Sequence, residues 1–292
     1  MVNKETPVQL DTGNTDTSLV LTQPPQSARN YTTVTEVPGV KASREQLRML
    51  YTRYRYAAEF CEGKDVLEVG CGAGPGLGYL ARKARRVVGG DYTAPLLDVA
   101  RQHYKERLPQ PQPVQPVQLV QLDAQTLPFS DTSFDVIICY EAMYYLAQPQ
   151  AFVKECCRVL RAGGILVICS VNKEWADFNP SPFSTRYFSA KELHDLLVAQ
   201  QLQVECFGAF PVPHGSASAT LVSFIKRAAV RLHLVPKTMK GKEWLKRIFF
   251  GELAPLPAEV EEGLADYFPP QPIAYGTPVT DYKVLYTLAR LD

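Results

Sequence analysis

A chain of 292 residues can bury a full core, as one domain with additions or as two small ones. Its 46% hydrophobic and 21% charged residues are ordinary for a globular protein, and a net charge of +1 gives no global ground for binding DNA or RNA. No apolar run approaches the ~20 residues of a membrane span. Residues 1–30, rich in Thr, Gln and Pro, carry no apolar stretch of the signal-peptide kind, so a disordered tail and a cytoplasmic protein are expected. Seven cysteines without a C-x-x-C pair read as small buried hydrophobes, not as a metal site or disulfide framework.

Ser43 to Phe60 reads as a helix: Ser43 suits the N-cap, and Leu47, Leu50, Tyr51, Tyr54, Ala57 and Ala58 recur at helical spacing. Val66–Val69 is a short apolar strand, followed by a helix to about Arg82. Arg86–Gly90 is a second strand, closing on Asp91, and Pro95–Tyr104 a helix. Pro109–Gln118 reads as an exposed Pro/Gln loop. Val117–Leu122 and Phe134–Tyr140 are further strands. Gln150–Leu160 is a helix that Gly163-Gly164 is expected to end, before a strand at Ile165–Ser170. A helix at Ala190–Gln200, capped by Ser189, leads to a strand at Gln203–Phe207. Lys283–Ala289 closes the set as a seventh strand.

Strands alternating with helices predict an α/β fold, a doubly wound, mostly parallel seven-stranded sheet with helices on both faces. The domain reading is a tail (1–30), an N-terminal lid helix (31–60), a core (61–209), an insertion (210–280) and the closing strand (281–292). The insertion is too long for a hairpin loop and is expected to be helical, a cap over the substrate.

Residues 66–78 read Val-Leu-Glu-Val-Gly-Cys-Gly-Ala-Gly-Pro-Gly-Leu-Gly: a buried strand, a glycine turn and a helix start, the local architecture of a nucleotide site. The dinucleotide pattern G-x-G-x-x-G fails here. Started at Gly70, Gly72 or Gly74, its third glycine falls on Pro75, Leu77 or Tyr79. Glu68, two residues before Gly70, would repel a pyrophosphate but suits a ligand carrying an ammonium or sulfonium.

With these residues the chain resembles the class I S-adenosylmethionine-dependent methyltransferases of the small-molecule type. The resemblance runs from about Asp65 to Asn172. It is carried by the glycine loop, Gly90-Asp91-Tyr92, Asp123-Ala124, Leu127-Pro-Phe-Ser-Asp-Thr-Ser-Phe-Asp-Val-Ile-Ile and Arg158-Val-Leu-Arg-Ala-Gly-Gly-Ile-Leu, in order. It implies S-adenosylmethionine as cofactor and S-adenosylhomocysteine as product. It implies that Gly70, Gly72 and Gly74 let the backbone approach the methionine portion, and that Asp91 accepts hydrogen bonds from both ribose hydroxyls. It places Tyr92 beside the adenine, Asp123 and Ala124 at the adenine amino group, and Cys139, Tyr140 and Glu141 at the methionine end. Asp91 and Asp123 as plain turn residues, and Glu141 as a helix starter, stay open.

Tyrosines crowd the expected site, and ring faces attract a sulfonium. Tyr51 or Tyr54 of the lid helix is therefore expected at the cofactor. For the acceptor's proton, His214, Glu141 and Tyr145 are the candidate bases. The stretch with Lys226, Arg227, Arg231, Lys237, Lys240, Lys242, Lys246 and Arg247 suggests an anionic small-molecule acceptor, with a solvated helix face as the plainer reading. The expected activity is methyl transfer to oxygen or nitrogen of a small metabolite or natural-product precursor. C-methylation of a quinone-like or lipid acceptor, and a non-catalytic cofactor-binding protein, are the alternatives. An RNA substrate is disfavoured, because no appended RNA-binding module stands in the chain.

Overall fold

The computed structural model describes residues 31–106, 117–212 and 253–292. In chain order they form β1 (Lys41–Ser43), α1 (Arg44–Ala57), β2 (Asp65–Val69), α2 (Leu77–Ala81), β3 (Arg86–Asp91), α3 (Ala94–Glu106), β4 (Val117–Gln121) and β5 (Phe134–Tyr140). Then follow α4 (Pro149–Val159), β6 (Leu160–Val171), α5 (Ala190–Val198), β7 (Gln203–Pro211), β8 (Leu253–Pro255), β9 (Gln271–Pro272) and β10 (Tyr282–Arg290). The main sheet runs β4-β3-β2-β5-β6-β10-β7, and the two-residue β9 adds an edge to β7. β2 to β6 are parallel, whereas β10 is antiparallel to both β6 and β7. Strand order reverses between β2 and β5, and an open α/β sheet binds ligands at that point, beyond the carboxyl ends of its strands.

Side-chain alternation divides the core cleanly. Val66, Val136, Ile138, Tyr140, Val167 and Cys169 face one side with α1 and α2, and Leu67, Val69, Ile137, Cys139, Leu166 and Ile168 face the other with α4 and α5. Six of the seven cysteines are buried and all are free thiols. Burial pushes Cys61 and Cys139 up to about 12.

Ser43 caps α1 as expected. Its Oγ accepts from Gln46 N at 3.2 Å, and the Gln46 side chain accepts from Ser43 N at 2.9 Å. Ser189 and Glu192 form the same box on α5.

Gly163-Gly164 does not end a helix. α4 stops at Val159, and Leu160, 1% exposed, enters β6 at once. The sheet pairs Phe134 with Leu160 and Val136 with Ile165, so residues 161–164 bulge out of register. Gly163 makes the bulge possible with φ +72°, and its N–H donates to Leu291 O at 2.8 Å.

The insertion's described part, residues 210–212 and 253–280, contains short strands and turns and no helix. β8 pairs with β1 just ahead of α1. Beyond it, Glu262 accepts from Tyr51 Oη at 2.6 Å and Tyr79 Oη at 2.5 Å. Val260 N donates to Pro75 O at 2.7 Å. This segment therefore straps α1 and α2 together. No helix among the described residues is long and apolar enough to cross a membrane.

Candidate active site

A cleft of about 650 Å³ opens beyond the carboxyl ends of β2 to β6, with α1 as one wall. Its floor is the turn after β2. Gly70, Gly72 and Gly74 all have positive φ (+76°, +57°, +72°), a region that side chains disfavour. Gly76 has a different reason to be glycine: a Cβ there would lie 1.9 Å from the Tyr54 ring. α1 thus sits directly on the glycine turn.

The turn is tied to β3. Gly70 N and Cys71 N both donate to Gly90 O, at 2.8 and 3.1 Å. Gly72 N donates to Asp91 Oδ2 at 2.8 Å and Thr93 N to Asp91 Oδ1 at 2.7 Å. Two backbone donors fix the Asp91 carboxylate, and each oxygen keeps a lone pair. Burial raises the Asp91 pKa, only partly offset by the Thr93 and Gly72 bonds. Asp91 and Tyr92 line the cleft.

Asp123 and Ala124 line it after β4. Asp123 also holds a turn of its own, since Gln125 N donates to Oδ1 at 2.9 Å and Gln125 Nε2 donates to Oδ1 at 3.1 Å. Asp123 thus lines the cleft and holds a turn at once.

Glu68 points from β2 to the α1 side and is 1% exposed. Tyr54 Oη donates to its Oε1 at 2.7 Å, and Oε2 is buried with no partner among the described residues. Burial lifts its pKa to about 7, against the Tyr54 hydrogen bond and the charge of Arg53, which pull it down.

Tyr54 lines the cleft; Tyr51 does not. The expectation for Tyr51 is corrected by the helix register: its hydroxyl points to Glu262, on the strap side, and its ring packs edge-on to Tyr79. The residues of α1 that line the cleft are Gln46, Tyr54 and the stripe Glu45, Met49 and Arg53 at four-residue intervals. That stripe was present in the sequence but is mixed in character, acid, apolar and base, so hydrophobic periodicity passes over it.

Cys139 and Tyr140 border the cleft from β5. Tyr140 meets Tyr54 edge-on at 5.8 Å. Glu141 follows with φ +51°, a strained setting for a non-glycine residue, which aims its carboxylate into the cleft. Tyr144 Oη donates to Glu141 Oε2 at 3.1 Å. Burial raises the Glu141 pKa, opposed by Arg53 and the Tyr144 bond. Tyr145 also lines the cleft, its hydroxyl bonded to Ser181 Oγ at 2.6 Å. His214 and the cationic stretch from Lys226 to Arg247 lie outside the described residues.

Arg53 is 7% exposed; its Nη2 donates to Glu36 Oε2 at 2.6 Å. Burial works against its charge, but Glu36 and Glu141 outweigh it and raise its pKa. Tyr31, Glu36, Trp175 and Lys283 complete the far wall. Pattern reading missed them because they come from four separate segments that only the fold assembles.

A glycine turn at the switch point, the Asp91 carboxylate at the end of β3 and the buried Glu68 carboxylate, one of whose oxygens has no partner among the described residues, meet at this cleft. Residues 67–168 match the family model described as a methyltransferase domain. A probable S-adenosylmethionine-dependent methyltransferase of Mycolicibacterium smegmatis is 34% identical over 192 residues, covering 63% of this chain and 69% of that protein. The ubiquinone biosynthesis O-methyltransferase of Coxiella burnetii is 32% identical over 115 residues, covering 39% of this chain and 46% of that one. The YcgJ protein of Bacillus subtilis has the same fold, with TM-score 0.52 and 21% identity over 85% of this chain and 98% of that chain. The chain belongs to the class I S-adenosylmethionine-dependent methyltransferases. It is an enzyme of that class, and S-adenosylmethionine is its cofactor.

Proposed function

We propose that this methyltransferase acts on oxygen or nitrogen of a small molecule, and that Glu141 takes the acceptor's proton. The observation that carries the proposal is the position of Glu141, a half-buried carboxylate with raised pKa in the same cleft as the glycine turn and Asp91. The bound cofactor supplies an electrophilic methyl group on a sulfonium, and its leaving group is neutral. Little acid assistance is then needed, and the protein's work is alignment, exclusion of water and removal of one proton.

Among residues toward the cofactor, Asp91 offers its free lone pairs to the ribose hydroxyls. Glu68 Oε2 offers the unmet charge of a buried carboxylate to the methionine ammonium. Gly70, Gly72 and Gly74 leave the backbone bare beside it. Tyr92, Asp123 and Ala124 frame the adenine, and the Tyr54 ring, Cys139 and Tyr140 border the methionine end. A ring face over a sulfonium contributes about 0.5–2 kcal/mol. Tyr145, bonded to Ser181, is an alternative proton acceptor, but burial raises its pKa too. A hydroxyl with an ordinary pKa near 10 is a weaker base than Glu141 at neutral pH. The name of the Coxiella burnetii relative supports oxygen as the accepting atom.

The test is turnover with S-adenosylmethionine and panels of hydroxyl, amine and activated-carbon acceptors, with mass spectrometry for one added CH₂. Products methylated only at carbon would refute it.

A further inference from the structure

The half of the cleft beyond Glu141 has an unusual balance of charge and hydrogen bonding. Its two cations among the described residues are each neutralised in place: Arg53 pairs with Glu36 at 2.6 Å, and Lys283 pairs with Glu45. Both pairs line the cleft, together with Trp175, over whose ring Lys283 sits at 5.7 Å. Two buried N–H donors in this wall, Arg53 Nε and Trp175 Nε1, have no acceptor among the described residues. Buried donors are rarely left unmet in a complete site, so a ligand with lone pairs fits there.

Three ligand classes can be compared on these groups. A protonated amine has no lone pair for Arg53 Nε or Trp175 Nε1. A carboxylate or phosphate has lone pairs but would lie against Glu36, Glu45 and Glu141, and both cations that line this wall among the described residues are already paired. Neutral hydroxyls satisfy both: they accept from the two N–H groups and donate to the carboxylates. Aromatic rings provide flat apolar surface for the C–H faces of such a molecule. Tyr31 and Tyr145 pack edge-on at 5.1 Å in the same wall.

We propose that the acceptor is a neutral polyhydroxylated compound of the sugar class, free or carried on a larger molecule, methylated on a hydroxyl oxygen. This rests on the preceding assignment of the cleft to methyl transfer. In the step, the hydroxyl oxygen forms its bond to the methyl carbon as the sulfur–carbon bond breaks. The electron pair stays on sulfur, and the hydroxyl proton passes to the Glu141 carboxylate. A monocation, a neutral alcohol and a carboxylate thus become a neutral thioether, a methyl ether and a carboxylic acid.

The full-length protein is first titrated with S-adenosylmethionine by calorimetry; absence of binding would refute the cleft assignment itself. Saturation-transfer NMR and methyl-ether detection then compare neutral hexoses and their methyl glycosides with the matched amino sugars and uronic acids. The glycosides report on a carried sugar and the free hexoses on an uncarried one. Neutral members are expected to bind at least tenfold more tightly than either charged set and to be O-methylated. Trp175→Phe and Glu45→Gln, the latter on an exposed side chain, are expected to weaken neutral-sugar binding about fivefold or more, with cofactor affinity unchanged. Cofactor binding with no affinity for neutral members, preference for an amino sugar or uronic acid, or variants that leave sugar binding intact would overturn the proposal.

Discussion

Glu68 carries opposed demands. Its carboxylate is buried and half-satisfied, and burial lifts its pKa to about 7. An acid raised from its ordinary range binds its proton more tightly folded than unfolded. Between about pH 4.5 and 7 the native state therefore holds more protons, and stability falls as pH rises through that window. Glu68→Gln keeps an acceptor for Tyr54 and removes the charge. We predict that, without cofactor, it melts higher than the parent at pH 8, by about 1–3 kcal/mol of stability. The same substitution should weaken S-adenosylmethionine binding about tenfold and abolish the loss of affinity expected of the parent below pH 7; calorimetry across pH 6–8 reads both. Glu141→Gln should lower kcat on the natural acceptor by about 10²–10⁴ while leaving cofactor affinity unchanged. Equal losses in kcat and cofactor binding would place Glu141 at the cofactor instead.

At the scale of elements, α1 serves as wall and core together. Leu50, Tyr54, Tyr56 and Ala57 are buried against the sheet, and Glu262 clamps it through Tyr51. A helix packed in this way is not expected to swing as a lid. Amide exchange over residues 50–57 should be as slow as in β5, and exchange at loop rates would restore the lid reading. Gly76→Ala sets a methyl into the Tyr54 ring and should displace α1 from the turn, reducing cofactor affinity at least tenfold. Tyr51→Phe removes two hydrogen bonds outside the cleft, the one its hydroxyl donates to Glu262 and the one it accepts from Gly263 N. It should cost about 1 kcal/mol of stability and leave cofactor affinity unchanged, as denaturant melts and calorimetry would report. The helix and its Ser43 cap were legible because an amphipathic period and a capping box are local patterns. The bulge at Gly163 was not, since a glycine pair after a helix looks alike whether it ends the helix or lets a strand skip register.

For the whole molecule, two sets of carboxylates pull stability in opposite directions. Arg85 and Arg161 hold Asp65 below its ordinary range despite burial, the Asp65 backbone and Arg161 do the same for Asp135, and Ser189, Lys173 and Arg186 bring Glu192 to about 2. These acids stabilise the fold above their ordinary pKa, and that contribution is lost as pH falls through their native values. Glu68, Asp91 and Glu141 are raised by burial and cost stability as pH rises past the ordinary carboxylate range. The melting temperature without cofactor should therefore peak at about pH 5–6, and saturating S-adenosylmethionine should move the peak toward neutrality. A peak above pH 8 without cofactor would contradict the assignment of these three acids.

The strand–turn–helix unit, the alternation of strands and helices and the class of cofactor could be read from the chain alone. Their signals lie within short windows: a glycine spacing, an acid two residues ahead of it, an aspartate at a strand's end. The far wall of the cleft could not. Glu36, Arg53, Trp175 and Lys283 are separated by up to 247 positions and share no local pattern. Their meaning comes from which charges the fold pairs and which donors it leaves unmet. The division is physical: backbone conformation and periodic burial are written locally, while hydrogen-bond satisfaction in a cleft exists only after distant segments meet.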